Sequence, residues 1–210
     1  GLWNVFEVAR ATDLSAVVFA SSIAAYGPCL PRAVREDTYT IPHTLYGISK
    51  QLGEMLGLWF YRRYGIEFVA FRYGSVIGPG RRDGGASAYS TLIIQKPAQG
   101  EPCLVDVPGD SRIPIVYVKD AADATLMAYK KIKTLKSRIY NLTSLALSPS
   151  AKDIADVVKK YIPNAEIIFK PDPKTTEIVK SWPTDLDIRK VQDELGWKPK
   201  YSALDALVCD

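Results

Sequence analysis

Histidine is almost missing from this sequence. His43 is the single example, so a serine–histidine triad would have to run through it, and a metal site built on several histidines is excluded. Cysteine is nearly as scarce. Cys29, Cys103 and Cys209 are odd in number, far apart and in no CxxC pair. That excludes a disulfide framework or a cysteine zinc site and predicts reduced thiols in a cytoplasmic protein. No apolar run approaches the roughly 20 residues of a membrane-spanning helix, so no membrane partner is expected. Neither sign of charge dominates: 27 Lys and Arg against 23 Asp and Glu leave a net +4. The basic residues form no stripe, which argues against nucleic acid. An initiator methionine, a signal peptide and a basic leader are also missing. The chain opens on Gly1-Leu2-Trp3-Asn4-Val5-Phe6 as if inside a helix.

What remains is ordinary globular material, 47% apolar and 24% charged over 210 residues, enough for one domain or one and a fraction. Leu2, Val5, Phe6 and Ala9 predict a helix over residues 1–11. Ala16 to Ala20 is a continuous apolar run, the pattern of a strand buried on both faces. Residues 27–43, with four Gly and Pro and no period, predict a loop. Thr44 can cap a helix reaching Tyr64, with Leu45, Leu52, Met55, Leu56, Trp59 and Phe60 on its apolar side and Gly65 as its stop. Further strands are predicted at 66–71, 114–118, 139–142 and 166–169. Further helices are predicted at 86–96, 119–131, 150–161 and 187–195, with a last one from Ser202 to Asp210. A glycine-rich loop covers 74–85. Strands alternating with helices indicate an α/β fold with a mainly parallel sheet.

The chemistry concentrates in Tyr46-Gly47-Ile48-Ser49-Lys50. Residues four apart on a helix share a face. An ammonium beside a phenol favours the phenolate, so such a tyrosine can exchange a proton with a substrate hydroxyl or carbonyl. The first predicted strand ends in Ser21-Ser22, and the carboxyl ends of parallel strands are where open α/β sheets bind ligands. Taken singly, YxxxK is also a chance helical pattern, and Ser22 is also an ordinary turn serine.

Together, the frames SSIAAYG (residues 21–27) and YGISK (residues 46–50) resemble the catalytic segments of the extended short-chain dehydrogenase/reductases, the NAD-dependent epimerase/dehydratase family. Arg72-Tyr73 with Val76-Ile77-Gly78-Pro79-Gly80 resembles the family's strand and active-site loop. Gly109-Asp110-Ser111-Arg112 with Val116-Tyr117-Val118-Lys119-Asp120, and Asp187-Ile188-Arg189-Lys190 with Glu194-Leu195-Gly196-Trp197-Lys198-Pro199, resemble its later motifs. The resemblance implies a Rossmann-like doubly wound parallel sheet lacking its first βαβ units, with a smaller α/β substrate-binding region. Residues 1–80 would be the rear part of the NAD-binding domain. Residues 81–210 would be mainly the substrate region, with about 115–143 returning to the sheet.

By the same resemblance Ser22, Tyr46 and Lys50 are catalytic. Ser21, Tyr46, Lys50, Tyr73, Gly74 and Val76 would hold the cofactor, NAD or NADP. Ser22, Ile23, Ser75, Tyr89 and Arg112 would hold a small-molecule substrate. No metal is implied. The complete protein would be a homodimer through the Tyr46 helix. The family's GxxGxxG phosphate turn has no counterpart here, since Pro79, Arg81 and Arg82 interrupt the run from Gly78 to Gly85. The expectation is therefore a chain cut at its amino end, which could by itself be a non-catalytic fragment.

Two branches compete for the substrate. Gly78-Pro79-Gly80-Arg81 and Arg112 resemble the nucleotide-sugar enzymes, in which the matching arginine grips a diphosphate. Gly84-Gly85-Ala86-Ser87-Ala88-Tyr89, Ile113-Pro114-Ile115 and Ser181-Trp182-Pro183 resemble the short-chain L-threonine dehydrogenases. The sequence leans slightly to the first branch. Trp59, Phe60, Tyr61 and Tyr64 read as core or dimer packing, His43 as a surface residue, Cys29 as an unactivated loop thiol, and Glu36-Asp37 as a solvated pair.

Overall fold

The computed structural model describes residues 1–81 and 84–209. Arg82, one of the residues interrupting the glycines, Asp83, and Asp210, the last residue of the expected final helix, lie outside the described residues. The chain opens on helix α1 (Leu2–Ala11), which buries Phe6 and Ala9. Strand β1 (Ala16–Ser22) runs into a 3-10 turn (Ile23–Ala25) and then the two-residue strand β2 (Ala33–Val34). Helix α2 (Leu45–Tyr64) starts at Thr44, whose hydroxyl accepts from Gly47 N, and stops at Gly65 in the left-handed conformation, φ 70°.

Strands β3 (Glu67–Tyr73) and β4 (Ser75–Ile77) follow, then helix α3 (Tyr89–Ala98) and strands β5 (Cys103–Val105) and β6 (Ile115–Tyr117). Helix α4 (Val118–Lys131) leads to β7 (Ile139–Leu142), α5 (Ala151–Tyr161) and β8 (Ile167–Phe169). Helix α6 (Pro173–Lys180), strand β9 (Asp185–Leu186), α7 (Arg189–Leu195) and α8 (Leu204–Cys209) complete the described chain.

The strands pair in parallel: β1–β3–β7 as one sheet, with β4–β6, β2–β9 and β5–β8 beside it. Side chains alternate faces along a strand, and β3 uses both faces. Phe68 and Ala70 pack with Phe6 and Phe60 from α1 and α2. Val69 and Phe71 pack with Ala121, Ala124 and Ala128 of α4 and with Val191 and Leu195 of α7. Helices on both faces explain why these strands read as unbroken apolar runs rather than alternating ones. This is the Rossmann-like α/β arrangement. A third cluster joins α3 and α5 to the later strands around Ile93, Val105, Ile113 and Ile154.

Several local expectations are corrected. The loop expected over 27–43 contains β2, and the glycine-rich stretch over 74–85 contains β4. Strand β5, helix α6 and β9 had no counterpart. The helix expected over 86–96 begins only at Tyr89.

The largest correction concerns the inward face of α2. Leu45, Leu52, Met55 and Trp59 face solvent, whereas Gly47, Gly53, Glu54, Gly57 and Phe60 are buried. A Cβ at Gly53 would overlap the Phe19 ring, one at Gly57 the Phe68 ring, and one at Gly47 the Ala24 carbonyl. The helix therefore lies against the sheet on its glycines, a contact that hydrophobic periodicity cannot register.

Candidate active site

The carboxyl ends of β1 and β3 lie side by side, with Ser22 opposite Tyr73 in the parallel register. The backbone turns sharply after Ser22, whose hydroxyl oxygen accepts from Ala24 N at 3.1 Å and caps the 3-10 turn. That bond uses an acceptor position. The hydroxyl proton has no acceptor among the described residues and is free to be donated.

Tyr46 and Lys50 stand one turn apart at the start of α2. Tyr46, Lys50, Gly53 and Gly57 follow the 4-3-4 spacing of a single helical face, so the glycines that touch the sheet and the two polar residues face the same way. Lys50 Nζ donates to Ala20 O at 2.8 Å and lies 5.2 Å from the Tyr46 ring centroid. Burial lowers the Lys50 ammonium from its usual value. Tyr46 is 54% exposed, and its ring borders a cavity of about 770 Å³.

That cavity brings together most of the residues singled out in the sequence: Ser21, Ser22, Ile23, Tyr46, Lys50, Tyr73, Gly74, Ser75 and Val76. The Tyr73 hydroxyl pairs with Thr125 Oγ1 at 2.6 Å, and burial raises that phenol above its ordinary pKa. Two expected substrate residues are elsewhere. Tyr89 is 2% exposed and does not line the cavity. Arg112 donates to Ser148 O at 2.7 Å and faces Asp153 at 3.5 Å, also outside the lining. In their place the wall carries Arg81, Gly84, Gly85, Ala86 and Ser87, with Ile178 and Trp182 from α6 and the turn after it.

In the sequence Arg81 was read as an interruption among glycines and as the end of the Gly78-Pro79-Gly80-Arg81 motif, with no site role of its own. Its Nη1 donates to Ser75 Oγ at 2.9 Å and Val76 O at 3.0 Å, and its Nη2 donates to Ser87 Oγ at 2.8 Å. One signal could have found it: an arginine on the loop directly after a buried strand that ends at the ligand-binding edge of the sheet.

A buried network supports the site from behind. Arg72 Nε and Nη2 form a two-pronged pair with Glu54 at 2.9 and 2.7 Å, and Ser21 Oγ donates to Glu54 Oε1 at 2.5 Å. Burial opposes the Arg72 charge, but the Glu54 hydrogen bonds and the charges of Tyr26 and Glu54 outweigh it and raise its pKa. Tyr26 is pushed up to about 12, chiefly by burial, and donates to Asn141 Oδ1 at 2.6 Å. Glu36 belongs to the same region. It was expected in solvent, but its side chain is buried, accepts from Asn141 N at 2.9 Å and faces Lys190 at 3.6 Å. Asp37 alone fits the solvated reading, paired with Arg35 on the surface. Among the described residues, no cluster of His, Cys, Asp and Glu could hold a metal, and no helix is long and apolar enough to cross a membrane.

Comparison with known proteins places these residues in a wider set. The sequence model of the NAD dependent epimerase/dehydratase family matches residues 1–143. The chain is 31% identical over 204 residues to the mitochondrial L-threonine 3-dehydrogenase of Bos taurus, a match covering 96% of this chain and 54% of the bovine protein. It thus spans about half the length of that relative. The structure of an L-threonine dehydrogenase from Cupriavidus necator in its holo form superposes with a TM-score of 0.92 at 32% identity. That match covers 100% of this chain and 68% of the other. A UDP-galactose 4-epimerase structure gives 0.75 at 26% identity, covering 99% of this chain and 65% of the other.

Proposed function

The chain belongs to the NAD dependent epimerase/dehydratase family, and on that premise we propose that it carries the proton-transfer and substrate side of an NAD-dependent dehydrogenase acting on L-threonine or a closely similar small hydroxy amino acid. The observation that carries this choice is the position of Arg112. The arginine that would clamp a nucleotide-sugar diphosphate is turned to Ser148 and Asp153, outside the cavity. The cavity wall carries residues 84–87 and Trp182, which resemble the threonine dehydrogenases, beside Gly78-Pro79-Gly80-Arg81 from the other resemblance. The slight preference for a nucleotide sugar read from the sequence therefore reverses.

The residues present fit one end of the cofactor. Lys50 spends one proton on Ala20 O and keeps two donors for ribose hydroxyls, and the cavity beside Tyr46 has room for a flat ring. No GxxGxxG turn occurs in the sequence, so the phosphates are assigned to no residue here. When bound, oxidised nicotinamide supplies the two-electron oxidant, leaving the substrate a ketone and the cofactor reduced. Ser22 donates its hydroxyl proton to the substrate oxygen, and Tyr46 takes the proton which that oxygen gives up. Lys50, with its Nζ 5.2 Å from the Tyr46 ring, sets positive charge beside the phenol that exchanges the proton.

Three further parts belong to this reading. The division near residue 80 is part of this proposal, and the pairing of β7 (Ile139–Leu142) with β3 supports the return of the later part of 115–143 to the sheet. Three cysteines, odd in number and in no CxxC pair, support a cytoplasmic location. A stripe of Leu45, Ile48, Leu52, Met55 and Trp59, exposed along α2, supports a homodimer through that helix.

The test mixes the chain with NAD and either L-threonine or UDP-glucose. NADH absorbance rising with threonine, and lost by orders of magnitude in Tyr46→Phe, is expected. Conversion of UDP-glucose to UDP-galactose without net NADH would replace this proposal with the epimerase reading.

A further inference from the structure

Arg81 is the one cation of the described cavity lining that the chemistry above leaves without a task. Its guanidinium is part-buried, and its three hydrogen bonds go to neutral groups: two serine hydroxyls and a backbone carbonyl. Among the described residues, no carboxylate lies within ion-pair distance of it. Burial lowers its pKa, and it lines the same cavity as Tyr46. The arginine is also held in place. With the Gln95 amide oriented to satisfy its neighbours, Gln95 donates to Arg81 O at 2.9 Å and accepts from Gly80 N at 3.3 Å. Ser75, which receives one prong of the guanidinium, is fixed in turn by Ser90 at 2.9 Å.

A desolvated cation oriented by neutral partners keeps an unbalanced charge and unused N–H donors. Three bonds leave two of the five guanidinium protons uncommitted. Such a group stabilises an anion placed against it, and its planar fork suits a carboxylate. The described cavity lining holds two cations in all, Arg81 and Lys50, and Lys50 is tied to Ala20 and serves Tyr46. Among the described lining residues Arg81 is then the cation left over, and one guanidinium fork pairs with one carboxylate.

We propose that Arg81 is the substrate anchor of the cavity, binding the carboxylate of the amino acid while the substrate hydroxyl meets Ser22 and Tyr46. This rests on the threonine reading given above and assigns its substrate-orienting charge to a residue outside the Ser22, Tyr46 and Lys50 set. Ser75 and Ser87 then act as positioning residues that hold the fork toward the cavity. The site would favour small hydroxy acids that carry their carboxylate close to the carbinol. It would discriminate against the same molecules with the charge removed.

The experiment measures binding of L-threonine and of L-threoninamide by calorimetry, with and without NADH, to the chain and to Arg81→Met and Arg81→Lys. The parent is expected to prefer threonine. In Arg81→Met, threonine binding should weaken about 10- to 100-fold, the range of a lost charge-assisted hydrogen-bond pair. Threoninamide binding should hold, which also certifies the fold, and Arg81→Lys should recover part of the preference. A parent that prefers threonine while Arg81→Met keeps the same preference would overturn the role of Arg81 and leave the threonine reading standing. A parent that binds neither ligand, or binds UDP-glucose instead, would overturn both.

Discussion

Glu54 and Arg72 sit directly beneath the cavity, with side chains 3% and 5% exposed. Two charges taken this far from water persist only because each answers the other and every prong is bonded. Removing one leaves the other stranded. Glu54→Leu should therefore lower stability by about 3–5 kcal/mol in urea unfolding. The double change with Arg72→Met should recover most of that loss, since an apolar pair of similar volume has no charge to desolvate. Ser22, Tyr46 and Lys50, singled out by the resemblance of SSIAAYG and YGISK, line one cavity, and a strand end and a four-residue helical step made their shared side legible. Glu54 was not, because a glutamate on a helix looks the same whether it faces solvent or a buried guanidinium. Arg81 was hidden for a different reason: a loop has no period, and only its hydrogen bonds to Ser75 and Ser87 reveal its direction.

The elements differ in how openly the sequence declares them. Helix α5 shows both its strong amphipathic period and its start at Ser150, where the structure finds a full capping box: Asp153 N donates to Ser150 Oγ at 3.0 Å, and Ser150 N donates to Asp153 Oδ2 at 2.8 Å. The backbone bond from Ser150 and the bond from its side chain hold the Asp153 carboxyl below its ordinary value of 3.8. A carboxylate with a depressed folded pKa stabilises fully above its unfolded pKa and loses that contribution as pH falls through the folded one. Asp153→Asn should therefore cost about 0.3–1 kcal/mol at neutral pH. Urea titrations should show the gap between parent and variant closing below about pH 4. Helix α2 is the opposite case. Its length, cap and stop were readable, but its buried face was not, because the contact is made by residues with no side chain to carry a hydrophobic signal. Strand β4 was missed because it lies inside the glycine-rich stretch read as a loop.

At the scale of the whole molecule, the parallel sheet with helices on both faces was readable from the order of strands and helices alone. The substrate side was not, because its cavity is assembled from the loop after β4 and the turn after α6, far apart in sequence. The exposed stripe along α2 yields a prediction at this scale. Leu45, Ile48, Leu52, Met55 and Trp59 recur at the 3-4 spacing of a helix–helix seam, on the side of α2 opposite its glycines. Sedimentation velocity at micromolar concentration should show a dimer for the chain. Leu52→Lys with Met55→Lys should shift it to monomer while leaving the circular dichroism spectrum unchanged; a monomeric parent would remove the seam from consideration.

The glycine side of α2 has a consequence for how the helix is aimed. Successive residues are about 100° apart around a helix axis, so turning α2 by one position would carry a side chain into Phe19 or Phe68, where only Gly53 and Gly57 leave clearance. Shifting it along its axis meets the Ala24 carbonyl at Gly47. The helix is thereby keyed to one azimuth and one height. Because Tyr46 and Lys50 share that glycine face, their bearing over the end of β1 is set during folding, before any ligand arrives.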